Sequence, residues 1–424
     1  MKSLVRLAIA SAWNRRSTLA LTVTAIALSV TMLLGVERAR TAARESFAQS
    51  VSGTDLIVGA RTSPIQLLLY AVFRLGEATS NMRWTSYEAI AADPDVAWAV
   101  PLSLGDSHRG FAVLATSTGY FEHFRYGAGR PLRLAAGRPF SGTVEGIFET
   151  VVGADVAESL GYTVGQNLTL SHGMGDTSLA EHANKPFTVV GILERTGTPV
   201  DRTVHISLAA MEAIHLDWQG GAPIPGLSIP PELVRKFDLN PKQITAVLVG
   251  LKSRAAVFKV QRAVNGFERE PLLAVLPGVA LDQLWQVVGV AEQTLLAVSA
   301  MIVVVGLAGL VAVVLASLNE RRRELAILRS VGAGQRHIAA LLIAESVVVT
   351  LAGALLGLAL LALVAGVGGP LIEARYGIAL RPWPESIGEL RLLALVLGAG
   401  LLAGAIPAWR ACRLALADGL TPKL

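Results

Sequence analysis

The sequence predicts an α-helical membrane protein with four transmembrane helices and a large mixed α/β extracytoplasmic domain between the first and second spans. Hydrophobic residues make up 52% of the 424 residues, and the mean hydropathy is +0.52, which is too apolar for a soluble enzyme. The apolar residues fall into four long runs, comparable with the roughly 20 residues that a membrane-spanning helix needs. A more hydrophilic stretch, residues 37–292, separates the first run from the second.

The amino-terminal segment predicts an interfacial helix followed by the first span. Residues 1–16 combine apolar with basic side chains, a pattern typical of a helix that lies in the cytoplasmic membrane interface. The basic residues are Lys2, Arg6, Arg15 and Arg16. Residues 17–36 form the predicted span. We expect this span to be retained, because it lacks an A-x-A-like cleavage site and is longer than the apolar core of a signal peptide.

Residues 37–292 predict one extracytoplasmic domain with two lobes. Short apolar runs predict strands and amphipathic stretches predict helices. The predicted strands include 54–58, 96–103, 109–116, 244–251 and 271–276, and the predicted helices include 85–91, 155–160 and 255–267. Elements from the two ends of the domain predict an α/β lobe, whereas residues 130–222, with short apolar strand-forming runs such as 187–193, predict a β-rich lobe. Residues 220–231 are rich in Gly and Pro and predict a link between the lobes.

The second half of the chain predicts three further spans. Residues 293–318 carry no formal charge and predict the second span. Residues 338–372 predict the third span, with Glu345 as its single charge. Residues 392–409 predict the fourth span, after an extracytoplasmic loop at residues 373–391.

A cluster of arginines between the second and third spans sets the orientation. Residues 319–337 predict a short cytoplasmic helix, because clustered Arg in short loops marks the cytoplasmic side of a membrane. An even number of spans, with basic residues before the first and in the tail at 410–424, predicts that both termini are cytoplasmic. Arg38, Arg40 and Arg44 oppose this rule, but they begin a long translocated segment, where charge counts have little influence. The net charge of +5 follows from this orientation, so we expect no nucleic-acid partner.

Several motifs resemble those of one permease family. The strongest is ERRRELAILRSVGA at residues 320–333, followed by Glu345 and Ser346 and then GALLG at residues 353–357. PAWRAC at residues 407–412 is a further match. The chain resembles the FtsX-like or MacB-like (type VII) ABC transporter permeases, which include macrolide-exporter and lipoprotein-releasing permeases. The family often places Asp-Pro in its tail, whereas here Asp418 is followed by Gly419.

The resemblance implies that a separate ATPase docks on the cytoplasmic helix. The sequence contains no Gly-Lys pair, so it has no G-x-x-x-x-G-K-[ST] phosphate loop, and we expect a partner subunit to bind ATP while this chain carries no cofactor. The predicted coupling residues are Glu320, Arg321, Arg323, Glu324, Leu325, Leu328, Arg329 and Arg336. An alternative is that these arginines anchor the helix to anionic lipid head groups.

Polar and small residues inside the spans predict contacts between helices. Glu345 is an intramembrane carboxylate, for which an ion pair with Arg329 or Arg336 is favoured over a relay role. Four glycines permit close helix approach within or between protomers. They are Gly353, Gly357, Gly400 and Gly404. We expect a second permease protomer, identical or related, because four spans are few for an isolated transporter.

The exported domain shows no catalytic signature. There is no H-E-x-x-H and no G-x-S-x-G motif, and the single cysteine, Cys412, lies in the predicted cytoplasmic tail. A metal site formed by His172, Asp176, Glu181 and His182 is an alternative, but their spacing matches no established zinc pattern. We therefore expect these histidines to be solvated loop residues, and we expect no metal site.

Two functions remain open at this level. In the first, ATP-driven motion of the spans moves the exported domain to export or release a lipoprotein, peptide, drug or other hydrophobic cargo. In the second, the same motion controls a cell-wall hydrolase or reports a bound peptide. The large domain between the first two spans favours transport. An adaptor or outer-membrane channel would then be a further partner. We expect this chain to lie in a bacterial inner membrane.

Overall fold

The computed structural model describes residues 16–50, 52–76, 78–143, 145–173, 181–219, 222–320, 329, 332–376, 383 and 386–413. The described helices are α1 Arg16–Gln49, α2 Pro64–Ala71, α3 Trp84–Ala91, α4 Gly119–His123, α5 Ala154–Leu160, α6 Leu208–His215, α7 Val257–Asn265, α8 Pro277–Glu320, α9 Gln335–Tyr376 and α10 Ile387–Arg413. The longer strands are β1 Leu56–Ala60, β3 Val96–His108, β4 Phe111–Thr116, β7 Leu134–Gly137, β8 Glu149–Val152, β11 Phe187–Leu193, β12 Thr203–Ser207, β16 Ala246–Leu251 and β17 Leu272–Val275. The two-residue strands are β2 Met82–Arg83, β5 Arg125–Tyr126, β6 Arg130–Pro131, β9 Asn167–Leu168, β10 Ser171–His172, β13 Trp218–Gln219, β14 Ala222–Pro223 and β15 Gln243–Ile244.

The chain divides into two compact units. Unit 1 takes residues 1–43, 289–372 and 380–424, and unit 2 takes residues 44–288 and 373–379. Four described helices, α1, α8, α9 and α10, are long and apolar enough to cross a membrane. Two of these helices extend beyond the predicted spans: α1 continues past residue 36 to Gln49, and α8 begins at Pro277, before residue 293.

Unit 1 is held together by apolar side chains from all four long helices. Ile26, Leu34, Leu310, Leu342 and Ala403 belong to one buried cluster. Hydroxyl groups add bonds between helices: Ser29 Oγ donates to the carbonyl of Ile302 at 3.3 Å, and Thr31 Oγ1 donates to the carbonyl of Gly357 at 3.0 Å. Small and hydroxylated residues are typical of membrane helix contacts, where backbones approach closely.

Unit 2 is built on one eleven-stranded sheet. Its main order is β17-β1-β16-β3-β4-β12-β8-β11-β7, with β10 on β3 and β9 on β11. Most pairs are antiparallel, but β12 runs parallel to β4 and β8 runs parallel to β11. The sequence prediction of residues 187–193 as a strand-forming run matches β11.

The sheet passes without a break through both predicted lobes. Along β16, Ala246 and Leu248 belong to one core, whereas Val247 and Val249 belong to another, as the alternation of side chains along a strand requires. The first core also takes Val151 and Leu193 from the predicted β-rich lobe. The two lobes thus share one sheet and the hydrophobic core on one of its faces. On the opposite face each lobe has a hydrophobic core of its own.

The predicted link between the lobes is partly regular. Ala222–Pro223 pairs with Trp218–Gln219 as a short antiparallel ribbon. Gly220 and Gly221 lie outside the described residues. This ribbon follows α6 directly and places Trp218 beside a group of polar side chains.

Candidate functional site

Most of the predicted coupling residues cannot be placed. Arg321, Arg323, Glu324, Leu325 and Leu328 lie outside the described residues. Glu320 is the last residue of α8, and its side chain also lies outside the described part.

Two predicted coupling arginines are described. Arg329 is half-buried, and its Nη2 donates to the carbonyl of Ala411 at 3.3 Å, near the end of α10. Arg336 is the second residue of α9 and is exposed. The half-buried Glu345 lies further along the same helix. Of these groups, Arg336 is the one open to a partner in the isolated chain.

The four predicted packing glycines lie at close helix contacts within the chain. A Cβ on Gly353 would lie 2.7 Å from Ile26, and a Cβ on Gly357 would lie 2.7 Å from the carbonyl oxygen of Ala27. A Cβ on Gly400 would lie 2.5 Å from Thr350 Oγ1, and one on Gly404 would lie 2.6 Å from Ser346. Substitution at any of these positions requires the neighbouring helix to move.

An ion-pair network joins α1, α8 and α10 at one end of unit 1. Arg38 contacts both carboxylate oxygens of Glu389, at 3.0 and 3.1 Å. Arg40 pairs with Glu37 at 2.7 Å and approaches Glu292 at 4.0 Å. Sequence reasoning identified Arg38 and Arg40 as exceptions to the charge rule but did not find their carboxylate partners. Acidic groups on α1, α8 and α10 offset their charge.

A second polar site lies in unit 2, where three histidines and one aspartate converge. Asp106 is on β3, His172 is on β10, His182 follows that strand, and His215 ends α6. The antiparallel register of β10 on β3 places His172 opposite Asp106. One donor atom from each of the four side chains lies within 4.8 Å of the others.

The contacts in this cluster centre on the aspartate. His172 Nδ1 lies 3.1 Å from Asp106 Oδ1 and 3.1 Å from His215 Nε2. His215 Nε2 lies 3.6 Å from Asp106 Oδ1. The ring of His182 packs on Trp218, with 4.2 Å between the ring centroids. Asp106 and His182 are fully buried, whereas His172 and His215 are partly exposed.

Burial and charge act in opposite directions on these groups. Burial lowers the pKa of His182 to about 4, so this ring is neutral at neutral pH. Burial opposes ionisation of Asp106, but the hydrogen bonds from His172 and His215 outweigh it and lower the pKa of Asp106 to about 2. Burial also opposes protonation of His215, but the carboxylate of Asp106 raises the pKa of His215.

This cluster differs from the one considered from the sequence. His172 and His182 belong to it, but Glu181 is exposed and outside the group, and Asp176 lies outside the described residues. The expectation that these histidines are solvated loop residues is wrong for His182, which has 0% exposure. Asp106 and His215 were missed because they are separated from the other two in sequence and meet them only through sheet pairing and the packing of α6.

Fold and composition define the class of protein: a membrane protein with four apolar helices and a mixed α/β domain between the first and second. The family follows from comparison with known proteins. The chain belongs to the FtsX/MacB-like family of ABC transporter permeases, since residues 19–267 match the MacB-like periplasmic core domain and residues 296–416 match the FtsX-like permease C-terminal region. The domain in unit 2 is therefore extracytoplasmic.

A curated relative is also similar over most of this chain. The chain is 24% identical over 403 residues to the macrolide export ATP-binding/permease protein MacB of Azoarcus sp. (strain BH72). That similarity covers 93% of this chain and 56% of the relative, so the chain spans just over half the relative's length.

Two solved structures of extracytoplasmic regions are also similar. One is the periplasmic region of MacB from Actinobacillus actinomycetemcomitans, with a TM-score of 0.33 and 10% identity, covering 56% of this chain and 97% of that one. The other is the extracellular domain of the noncanonic ABC-type transporter YknZ from Gram-positive bacteria, with a TM-score of 0.29 and 13% identity, covering 52% of this chain and 99% of that one.

Proposed function

We propose that this chain is the permease subunit of an ATP-driven exporter, and that a separate nucleotide-binding subunit hydrolyses the ATP. The observation that carries the proposal is the pair of family matches, at residues 19–267 and 296–416. The sequence contains no phosphate-binding loop. The relative from Azoarcus is named as both ATP-binding and permease. In the present chain the ATP-binding function would come from the partner.

The proposed coupling element is the segment 319–337, between α8 and α9. ATPase closure would push on this segment, and the long helices α1 and α8 would carry the motion toward the extracytoplasmic domain, where it acts on a hydrophobic cargo. Both termini would be cytoplasmic, and two protomers would bind two ATPase subunits. The exposed side chain of Arg336 and the helix-to-helix contact of Arg329 support different roles for these residues: contact with the partner for Arg336, and support of the segment for Arg329.

The test is co-purification of the ATPase with charge-reversed permeases. Arg336→Glu places like charge where a cation is expected to meet the partner, and a hydrogen bond to a charged group contributes roughly 1.5–3 kcal/mol. We expect bound ATPase and permease-stimulated ATP hydrolysis to fall together by at least tenfold. Arg391→Glu is the matched control, because Arg391 is also exposed but lies near the first turn of α10, whose far end contacts Arg329.

Two results would count against this function. If both single variants, Arg336→Glu and Arg329→Glu, bind the ATPase as the wild type does, the segment is a lipid anchor and not the coupling element. ATP hydrolysis by the purified chain without a partner would contradict the division of labour.

Orientation is tested separately by cysteine labelling on a Cys412→Ser background. Ser80 is exposed and lies in the extracytoplasmic domain, so it is a suitable labelling position. A cysteine at Ser80 should react with an impermeant maleimide on spheroplasts, and one at the exposed His337 should not. The opposite pattern would reverse the proposed topology.

A further inference from the structure

We propose that Asp106, His172, His182 and His215 bind one divalent transition-metal ion of the zinc type in the extracytoplasmic domain. Three imidazole nitrogens and one carboxylate oxygen match the donor types and the number of ligands that Zn²⁺ takes in proteins. Neither family match nor any relative's name assigns a metal to this domain. The inference concerns unit 2 and does not depend on the proposed transport function.

The spacing of the donors fits a single ion. Zn–N and Zn–O bonds of roughly 2.0–2.1 Å in a tetrahedron require ligand atoms about 3.3 Å apart. Three donor pairs in this cluster lie 3.1, 3.1 and 3.6 Å apart. His182 supplies the fourth donor, a ring nitrogen that lies within 4.8 Å of each of the other three donor atoms.

Buried donor atoms in the cluster lack partners among the described residues. These are both ring nitrogens of His182 and Oδ2 of Asp106. A buried polar atom without a hydrogen bond loses the bonds it would make to water, and native proteins therefore rarely leave one unsatisfied. A fully buried imidazole with two unsatisfied nitrogens is unfavourable as a mere packing element. A cation bound to one nitrogen accounts for its presence.

The backbone fixes which nitrogen of His215 can bind an ion. His215 Nδ1 lies 2.8 Å from the carbonyl oxygen of Met211, and because a carbonyl only accepts, Nδ1 carries a proton. Nε2, which faces Asp106, is therefore the nitrogen that would bind the ion after releasing its own proton. Histidine ligands are commonly oriented in this way by a backbone carbonyl. The site thus offers one nitrogen from each of three rings and one carboxylate oxygen, and binding of the ion would displace protons from these groups.

Nearby charge does not oppose the ion. The buried Lys185 is paired with Asp217, which also accepts a hydrogen bond from the backbone of Ile229 at 3.0 Å. The positive charge of Lys185 is thus neutralised locally. The partial exposure of His172 and His215 provides a route by which an ion can enter, while Trp218 covers His182.

Such an ion would connect parts of the domain that are far apart in sequence. It would link β3, β10, His182 and the end of α6. The chain has one cysteine, Cys412, so the domain at residues 44–288 has no disulfide of its own to serve this purpose. An ion that binds the folded domain and not the unfolded chain stabilises the fold by mass action.

The test measures metal binding by the full chain in detergent, purified with a tag that contains no histidine. After treatment with a chelator and its removal, the protein is titrated with Zn²⁺ by calorimetry and with Co²⁺ by visible absorption. We expect one Zn²⁺ per chain and the absorption bands of tetrahedral Co²⁺, which Zn²⁺ abolishes by competition. His172→Gln and His215→Gln should each weaken Zn²⁺ binding by at least tenfold, and both retain a partly exposed position that tolerates an amide.

His123→Gln is the matched control. His123 is a half-buried histidine of the same unit, but its ring stacks on Trp98 outside the cluster, so this variant should bind Zn²⁺ like the wild type. Thermal unfolding without metal separates loss of a ligand from loss of the fold, because the two test variants should melt close to the metal-free wild type. Added Zn²⁺ should raise the melting temperature of the wild type and of His123→Gln, but not that of the two test variants. A wild type that binds neither ion stoichiometrically overturns the proposal. Test variants that bind Zn²⁺ as the wild type does also overturn it.

Discussion

The ion pair between Arg38 and Glu389 is a sharp test of how unit 1 is held together. The side chains are 8% and 4% exposed and lie 3.0 Å apart. At that distance and an effective dielectric constant of about 20, the attraction is about 5.5 kcal/mol. Removing one partner of a buried pair leaves an uncompensated charge and destabilises by about 3–5 kcal/mol. We expect Arg38→Met and Glu389→Gln each to lose stability in that range.

The double variant distinguishes the pair from its separate groups. Replacing both partners removes both buried charges, and such replacements are often close to neutral. By equilibrium unfolding of the four proteins in mixed micelles, the double variant should therefore lose far less stability than about 6–10 kcal/mol, the sum of the two single losses. Arg391→Met, at an exposed position on α10, is the control and should change stability by less than about 0.5 kcal/mol. Additive losses in the double variant would refute the assignment of Arg38 and Glu389 as a coupled pair.

Two further predictions concern helix packing and acid stability. Gly357→Ala should destabilise unit 1 by about 1–3 kcal/mol through overpacking, because its Cβ would lie 2.7 Å from the carbonyl oxygen of Ala27; Gly366→Ala on the same helix has nothing within 4 Å and should be neutral or stabilising, and equal unfolding midpoints would contradict this. Burial lowers the pKa of His205 to about 3, so between pH 6.5 and 3 the unfolded chain binds a proton that the folded chain does not. Domain stability should fall on acidification through this window by up to about 1.4 kcal/mol per pH unit, and His205→Met should show a shallower fall in denaturant titrations at successive pH values; identical pH slopes would contradict it.

The apolar helices could be predicted from sequence because their signal is local. A run such as residues 293–318 is uncharged over its whole length, and its length and hydropathy do not depend on what it packs against. The strand at residues 187–193 was likewise visible as an apolar run between turn residues. Helix ends were less visible, since α1 continues to Gln49 past the point where its sequence becomes charged.

The two-lobe description shows where local signals stop. Composition separates residues 130–222 from the ends of the domain, but strand pairing does not follow composition. β12 pairs with β4, which joins the predicted β-rich region to the predicted α/β region in one sheet. The partner of a strand is chosen by edge complementarity and side-chain packing across the whole domain, and neither is written in a local window.

What the sequence by itself determined is the class of protein: hydropathy identified four apolar helices, and the motifs identified the permease family. Only the tertiary structure decided which charged side chains and which histidines meet. Glu389 reaches Arg38 across 351 positions, and Asp106 meets His172 through the register of β10 on β3. His215 joins them because α6 ends beside that register. Hydrophobic burial is additive along the chain and can be read locally, whereas a site of three or four polar groups depends on distances of a few ångströms that only packing sets.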